Sequence, residues 1–265
     1  MVTREEIESY IEQVPPLPST LRESLAALEK KELAEAAKTA SADVAMVHYL
    51  QCVVNSAAYG FRNELKEPKQ IFSALGTERA KSLLYAYMVS LMSPKAWRFF
   101  RLTSDDFTHF QTSLMARWEK LLKQEGADEK YLSAAALMSA GLVVADALFG
   151  EYAADVALLR EHEALDLDTI LERLTGMRFD GLVDMVAQKW EMQRDVREVV
   201  RLAFGNEACG MEEETCRLAR LLHLLLFYEL SRPVMMEAEA NAFVEFRPEF
   251  VAPVIERFEK AVEIA

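Results

Sequence analysis

Apolar residues recur at spacings of three and four almost from end to end of this chain, a period that predicts helices. Residues 4 to 13 predict a short polar helix that ends before Pro15, because the residue preceding a proline is pushed out of the α region. From about Pro18 to Glu29, Leu21, Leu25 and Leu28 share one face, with the proline in the first turn. A short helix follows from Glu32 to Thr39. Ser41 is the expected N-cap of a longer one, whose Val44, Val47, Tyr49, Leu50, Val53 and Val54 give a wide apolar surface. Asn55 and Ser56 weaken its last turn by competing for backbone hydrogen bonds, and Gly60 suits the chain reversal, so a loop to about Glu67 is expected.

Pro68 starts the next predicted helix, through Leu75, and Gly76-Thr77 supplies a stop followed by a new N-cap. The helix after it, Glu78 to about Met92, turns Leu83, Leu84, Tyr87, Met88 and Leu91 inward, and Pro94 ends it. That proline is the expected boundary between a lobe over 1–95 and a second over 96–265. Further helices are predicted near Asp105–Gln124, Glu129–Phe149, Tyr152–Glu161, Leu167–Leu174, Leu182–Glu191, Asp195–Phe204 and Glu212–Leu230, punctuated by Gly126, Gly150, Gly176 and Gly205. A last one begins near Pro253, with Val254, Phe258 and Val262 on its inner side. The expected fold is all-α.

Composition agrees, since 51% of the 265 residues are hydrophobic while glycine and proline are few. The net charge of -13 argues against a nucleic-acid partner, which needs a basic face, and against an anionic membrane surface. The N-terminus carries carboxylates at once and no apolar stretch of the secretory kind, so no export is expected. The longest apolar run, Leu221 to Tyr228, is too short to cross a bilayer. Cys52, Cys209 and Cys216 are odd in number and form no Cys-x-x-Cys pair, so neither a disulfide framework nor a zinc ribbon is expected, and a reducing cytoplasm fits best.

Three local patterns stand in a telling order: Pro15-Pro16-Leu17-Pro18, then Asn55-Ser56-Ala57-Ala58-Tyr59-Gly60, then Leu75-Gly76. In this order and spacing they resemble the HDOD domain family. The resemblance implies a helical fold like that of the metal-dependent HD phosphohydrolases, without their metal-binding residues as a rule, and a place in bacterial signalling. It also implies where an HD metal site would lie. The stretch Ala140-Gly141-Leu142-Val143-Val144-Ala145-Asp146-Ala147 is similar to the position of the adjacent His-Asp pair, so Val144 and Ala145 stand where the pair would be. Asp146 is one residue late, about 100 degrees round a helix, and faces elsewhere. Phe179, eleven residues before Trp190, falls where many relatives have a histidine, and Ala203-Phe204 replaces a later histidine pair. Apolar side chains donate no lone pair, so the resemblance implies an erased metal site and no cofactor.

The residues leave few other chemical candidates. His48 and Cys52, four apart on one helix, could reach one metal ion but lack a second pair; a packed helix is the simpler reading. His223 sits in an apolar run and reads as a hydrogen-bonded core histidine. His109 lies close to where the resemblance puts the first HD ligand, yet alone cannot hold a metal, and His162 reads as solvent-facing. Asp166 and Asp168 precede an apolar helical run and read as helix-capping acids. Gly76 to Ser82 lacks the second glycine of a phosphate loop. Asn55, Ser56 and Tyr59 read first as a structural corner and second as a partner contact.

The expectation is therefore a non-enzymatic signalling module that binds a partner protein, with a homodimer allowed. One alternative is a nucleotide or cyclic-dinucleotide sensor using the old cleft, with Arg173, Arg178 and Lys189 available to phosphates. Residual phosphohydrolase activity is another. Converging basic side chains would favour the sensor; a filled cleft beside an exposed apolar patch would favour the binding module.

Overall fold

The capping chemistry of the chain is realised at the first helix, α1 (Arg4–Gln13), where the Thr3 hydroxyl accepts from the Glu6 amide and the Glu6 carboxylate accepts from the Thr3 amide. The computed structural model describes all residues except Ala58, Ala164, Glu207, Ala208, Ile264 and Ala265, and the side chains of all the rest but Glu161, Glu163, Val262 and Glu263. Among the described residues no strand occurs, and the fold is all-α. The expected inward position of Val262 falls outside those described side chains.

The helices follow in the order α2 (Ser19–Glu29), α3 (Leu33–Ala40), α4 (Val44–Val54), α5 (Pro68–Leu75), α6 (Thr77–Met92), α7 (Ser104–Glu125) and α8 (Ser133–Phe149). Then come α9 (Ala153–Glu163), α10 (Leu167–Thr175), α11 (Phe179–Lys189), α12 (Arg194–Ala203) and α13 (Glu213–Leu230). The short α14 (Pro233–Glu237) and α15 (Pro248–Val251) precede α16 (Ile255–Glu263). The periodicity did not reveal α14 and α15, each little more than one turn.

Helix α8 is the axis of the molecule. Only Ala147 of its residues is exposed, and α6, α7, α11 and α12 pack round it. A helix apolar on all sides must be surrounded by protein or lipid; here an apolar window within Glu129–Arg160, long enough to cross a membrane, is 94% buried against other helices. The hydropathy reading missed it by stopping at Leu221–Tyr228. The packing of α6 on α8 crosses the boundary expected at residue 95, and the buried apolar residues form one continuous cluster.

Several local expectations need correction. Ser41 ends α3, its hydroxyl donating to the Ala37 carbonyl at 2.7 Å, and the N-cap of α4 is Asp43, whose carboxylate accepts from the Met46 amide at 3.0 Å. The buried face of α4 is accordingly Met46, Leu50, Val53 and Val54, while Val44 is 82% exposed. Leu91, on the last turn of α6, is exposed too. Gly76, not Thr77, occupies the N-cap of α6, and no side chain caps there. Asp166 does cap α10, accepting from the Thr169 amide at 3.0 Å, but Asp168 turns into the protein. Cys209 and Cys216, for which no disulfide framework was expected, are joined by a disulfide, their Cα atoms 5.7 Å apart and within bridging range.

Candidate functional site

The positions at which the resemblance places an HD metal site are all buried. Val144, Ala145, Phe179 and Ala203 have no exposed surface, and Phe204 is 1% exposed. Phe179 and Phe204 belong to a stack of aromatic rings. Phe179 lies against Phe243 at 4.9 Å between centroids, Phe243 against Phe204 at 5.9 Å, and Phe179 against Phe149 at 6.2 Å. Offset and edge-on rings of this kind pack favourably, with roughly 0.5–1.5 kcal/mol per pair beyond area burial. Phe243 enters because residue 141 has no side chain: a Cβ on Gly141 would stand 2.5 Å from the tip of the Phe243 ring.

A divalent metal requires converging imidazole or carboxylate donors at about 2.0–2.3 Å. The residues here do not fit one: their side chains carry no lone pair, and the Phe243 ring lies between Phe179 and Phe204. Among the described residues no group of three or more His, Cys, Asp and Glu side chains is placed to hold a metal. Asp146 points away, as its helical offset implies; buried, it accepts from the Arg98, Phe99 and Phe100 amides at 3.1, 2.8 and 3.0 Å. It pins the segment leading into α7, a role the sequence did not suggest.

The basic residues that could have met phosphates do not gather into a pocket. Arg178 reaches Asp168 at 3.1 Å, the Asn206 carbonyl oxygen at 2.8 Å and the Glu172 carboxylate. Asp168 also accepts from the Phe179 amide at 2.7 Å and from the Asn206 amide group at 2.9 Å; burial nevertheless pushes its carboxyl up. This tie holds the start of α11, and hence Phe179, in place. Lys189 donates to the Ile11 and Glu12 carbonyls, and the Trp190 indole N–H to the Pro15 carbonyl, so the proline-rich entry is moored to the end of α11. Arg173 is exposed on α10.

The Asn55–Gly60 motif is a brace. The Asn55 side chain donates to the Leu65 carbonyl at 2.9 Å and accepts from the Leu65 amide at 2.8 Å, closing the loop that follows α4. Tyr59 packs half-buried against the core, and burial, with the Glu119 carboxylate nearby, raises its phenol. Ser56 Oγ is buried without a partner, and Ala58 lies outside the described residues. Gly76, with φ +78° and ψ -179°, adopts a backbone that side chains disfavour, and buried Leu75 anchors the corner.

The histidines separate as well. His223, fully buried, has Nδ1 2.8 Å from the Ala203 carbonyl oxygen, while Nε2 accepts from the Arg247 amide at 3.2 Å, so the neutral ring is protonated on Nδ1. Burial holds its pKa down to about 4. His48 and Cys52 sit side by side on the exposed face of α4, with Nε2 and Sγ 3.6 Å apart, and His162 is exposed. His109 Nε2 faces the Arg232 guanidinium at 3.0 Å in a hollow of about 370 Å³ walled by Phe110, Pro233, Val234 and Met235. Behind it Glu229 is buried between Arg117 and Arg232.

Beyond α14 lies an open groove of about 540 Å³, with an apolar floor of Leu165, Phe227, Leu230, Met236, Val244 and Phe246. Ala242 and Val244, on either side of the inward Phe243, line it, so one segment fills the interior and shapes the outer groove. Met236 and Phe246 are 47% and 39% exposed on this groove, whereas Val234, 49% exposed, borders the His109 hollow. Sequence reasoning missed this face, whose residues come from four separated stretches.

Residues 14–203 match the HDOD domain model. The chain belongs to the HDOD domain family. Solved structures agree in fold. An HDOD domain protein with unknown function from Geobacter sulfurreducens superposes with a TM-score of 0.64 at 13% identity, covering 97% of this chain and 94% of its own. A Shewanella amazonensis SB2B protein named "Putative phosphohydrolase" gives 0.65 at 16% identity, covering 98% of each chain. A Marinobacter aquaeolei VT8 protein named "Putative signal transduction protein" also gives 0.65 at 16% identity, and the match covers 98% of this chain and 62% of that one. No curated protein matches the chain. At these identities the structures establish the shared HDOD fold and nothing about chemistry.

Proposed function

We propose that this HDOD protein is a non-catalytic, cytoplasmic signal-transduction module of bacterial type that works by binding a partner polypeptide, its 1–95 and 96–265 lobes acting as one unit. The observation that carries the reading is the Phe243 ring, seated against Gly141 between Phe179 and Phe204, where the HD chemistry would require ligands. A site without donors and without space supports binding elsewhere rather than hydrolysis. The Shewanella name points the other way, but it belongs to a protein only 16% identical.

The docking face in this reading is the groove beside α14. Exposed Met236 and Phe246 offer anchoring contacts to an amphipathic segment. Arg160 pairs with Glu239 and Arg247 with Glu245 beside the groove, so these two cations are locally neutralised, and the chain as a whole carries a net charge of -13. A partner with apolar anchors and basic flanks is favoured.

A photoreactive side chain placed at 236 or 246, with one at the exposed position 22 as control, tests this in the cells that make the protein. The expected result is the same cross-linked polypeptide from both groove positions and none from 22. Cross-linking to a second copy of this chain, or equal labelling from all three positions, would overturn the partner reading.

A further inference from the structure

We propose that Cys209 and Cys216 form a reversible thiol–disulfide site in the α12–α13 connection. The inference is independent of the docking reading. Cys209 lies in the α12–α13 connection and Cys216 seven residues on, at the start of α13, and the structure joins their sulfurs. Cys209 is half-buried and open to small reagents, whereas Cys216, in the first turn of α13, is 5% exposed with its sulfur near the Met211 carbonyl. The third cysteine, Cys52, stands free and exposed on α4.

The bond is local to the connection. Helices α12 and α13 pack on one another through buried residues such as Val199, Leu202, Leu218 and Leu222, and that contact does not depend on the sulfurs. Opening the bond therefore leaves the core in place and releases one anchor of the connection. The other anchor is Asn206, whose side chain accepts from Arg178 and donates to Asp168. Just before it, Gly205 (φ +76°) brings the backbone so close to Arg247 and His223 that a Cβ would lie 3.1 and 3.2 Å from them. The connection is thus fixed at its start by packing and polar contacts, and at its end by a bond that redox chemistry can break.

The oxidant fitting the exposure pattern is a low-molecular-weight disulfide such as glutathione disulfide. The Cys209 thiolate attacks one sulfur of the reagent, a Cys209–glutathione bond forms, and one glutathione thiolate leaves. Cys216, after losing its proton, attacks the Cys209 sulfur and expels the second. The two cysteines together give up two electrons and two protons, and the reagent is reduced to two thiols. Excess thiol reverses both steps.

The test is equilibration of the full chain in glutathione buffers of increasing oxidised fraction, followed by acid quenching, alkylation and intact-mass analysis. Two alkylatable thiols should vanish together without added mass, mapped to 209 and 216, while exposed Cys52 gains only a glutathione adduct of its own, and the helical circular dichroism should be unchanged by reduction. With Cys216→Ser, glutathione should remain trapped on Cys209; with Cys209→Ser, adduct at Cys216 should form far more slowly. Independent alkylation of both thiols at every buffer ratio would overturn the proposal. Loss of helical signal on reduction would also overturn it, by making the bond a structural staple.

Discussion

The close fit between Gly141 and Phe243 allows a quantitative test by a double-mutant cycle. Phe243→Ala removes a fully buried ring and leaves a cavity among Phe179, Phe204 and Gly141, a change that costs about 3–5 kcal/mol. Gly141→Ala acts oppositely, by overfilling. Its Cβ would lie 2.5 Å from the ring tip, whereas carbon atoms pack at about 3.5–4.0 Å, so the ring must retreat by roughly 1 Å while held between two other rings. Overpacking of that kind costs about 1–3 kcal/mol, offset by the roughly 0.8–1.0 kcal/mol that alanine gains over glycine inside a helix. Gly141→Ala alone should therefore be neutral to destabilising by about 2 kcal/mol. In the Phe243→Ala background the clash is gone, and the same substitution should stabilise by up to about 1 kcal/mol. Urea unfolding of the four proteins measures the coupling, expected at about 1–3 kcal/mol. Additivity within about 0.5 kcal/mol would refute the claim that this ring fills the cleft against Gly141.

Other expectations follow from the same geometry. The pKa of His223 is about 4 when folded against 6.5 as the ordinary value, so the unfolded chain binds the extra proton first as pH falls; stability should decline from about pH 6.5 to 4, by roughly 3 kcal/mol from this group, and not further below. An NMR titration of the ring with a midpoint near 6.5 in the folded protein would contradict this. Asn55→Ala removes two hydrogen bonds that close the 56–64 loop and should destabilise by about 1–3 kcal/mol, with faster amide exchange at Leu65; unchanged exchange there would show that the brace is not needed. Met236→Glu, on the exposed rim of the groove, should shift stability by no more than about 0.5 kcal/mol yet abolish cross-linking from position 246, and persistent cross-linking would refute docking in the groove.

What the sequence made legible was mostly local. Helices with long periodic faces, such as α2, α6 and α13, could be read because burial on one side imposes the spacing directly. The HDOD motif was legible through resemblance, and the positions that resemblance implies for the ligands, Val144, Ala145, Phe179, Ala203 and Phe204, are all buried. Phe243 was not legible. It sits between two very short helices, where no period marks a residue as inward, and its partners are far away in the chain. Gly141 was the available signal, since a glycine within an otherwise bulky apolar helix marks a close approach. Asp146 and Asp168 were misplaced or passed over for a similar reason: the N–H groups they bind belong to segments remote in sequence, so only the fold reveals why buried carboxylates are stable there. The Cys209–Cys216 bond follows from a chain reversal that spacing alone does not encode.

The most direct test of the central claim is hydrolysis by the purified full chain, assayed with saturating Mn²⁺, Fe²⁺ or Zn²⁺ against phosphomonoesters, nucleotides and cyclic dinucleotides. The filled cleft predicts no turnover above the metal-only control. Saturable, metal-dependent turnover that is lost on substitution of residues around Phe179 and Val144 would contradict it.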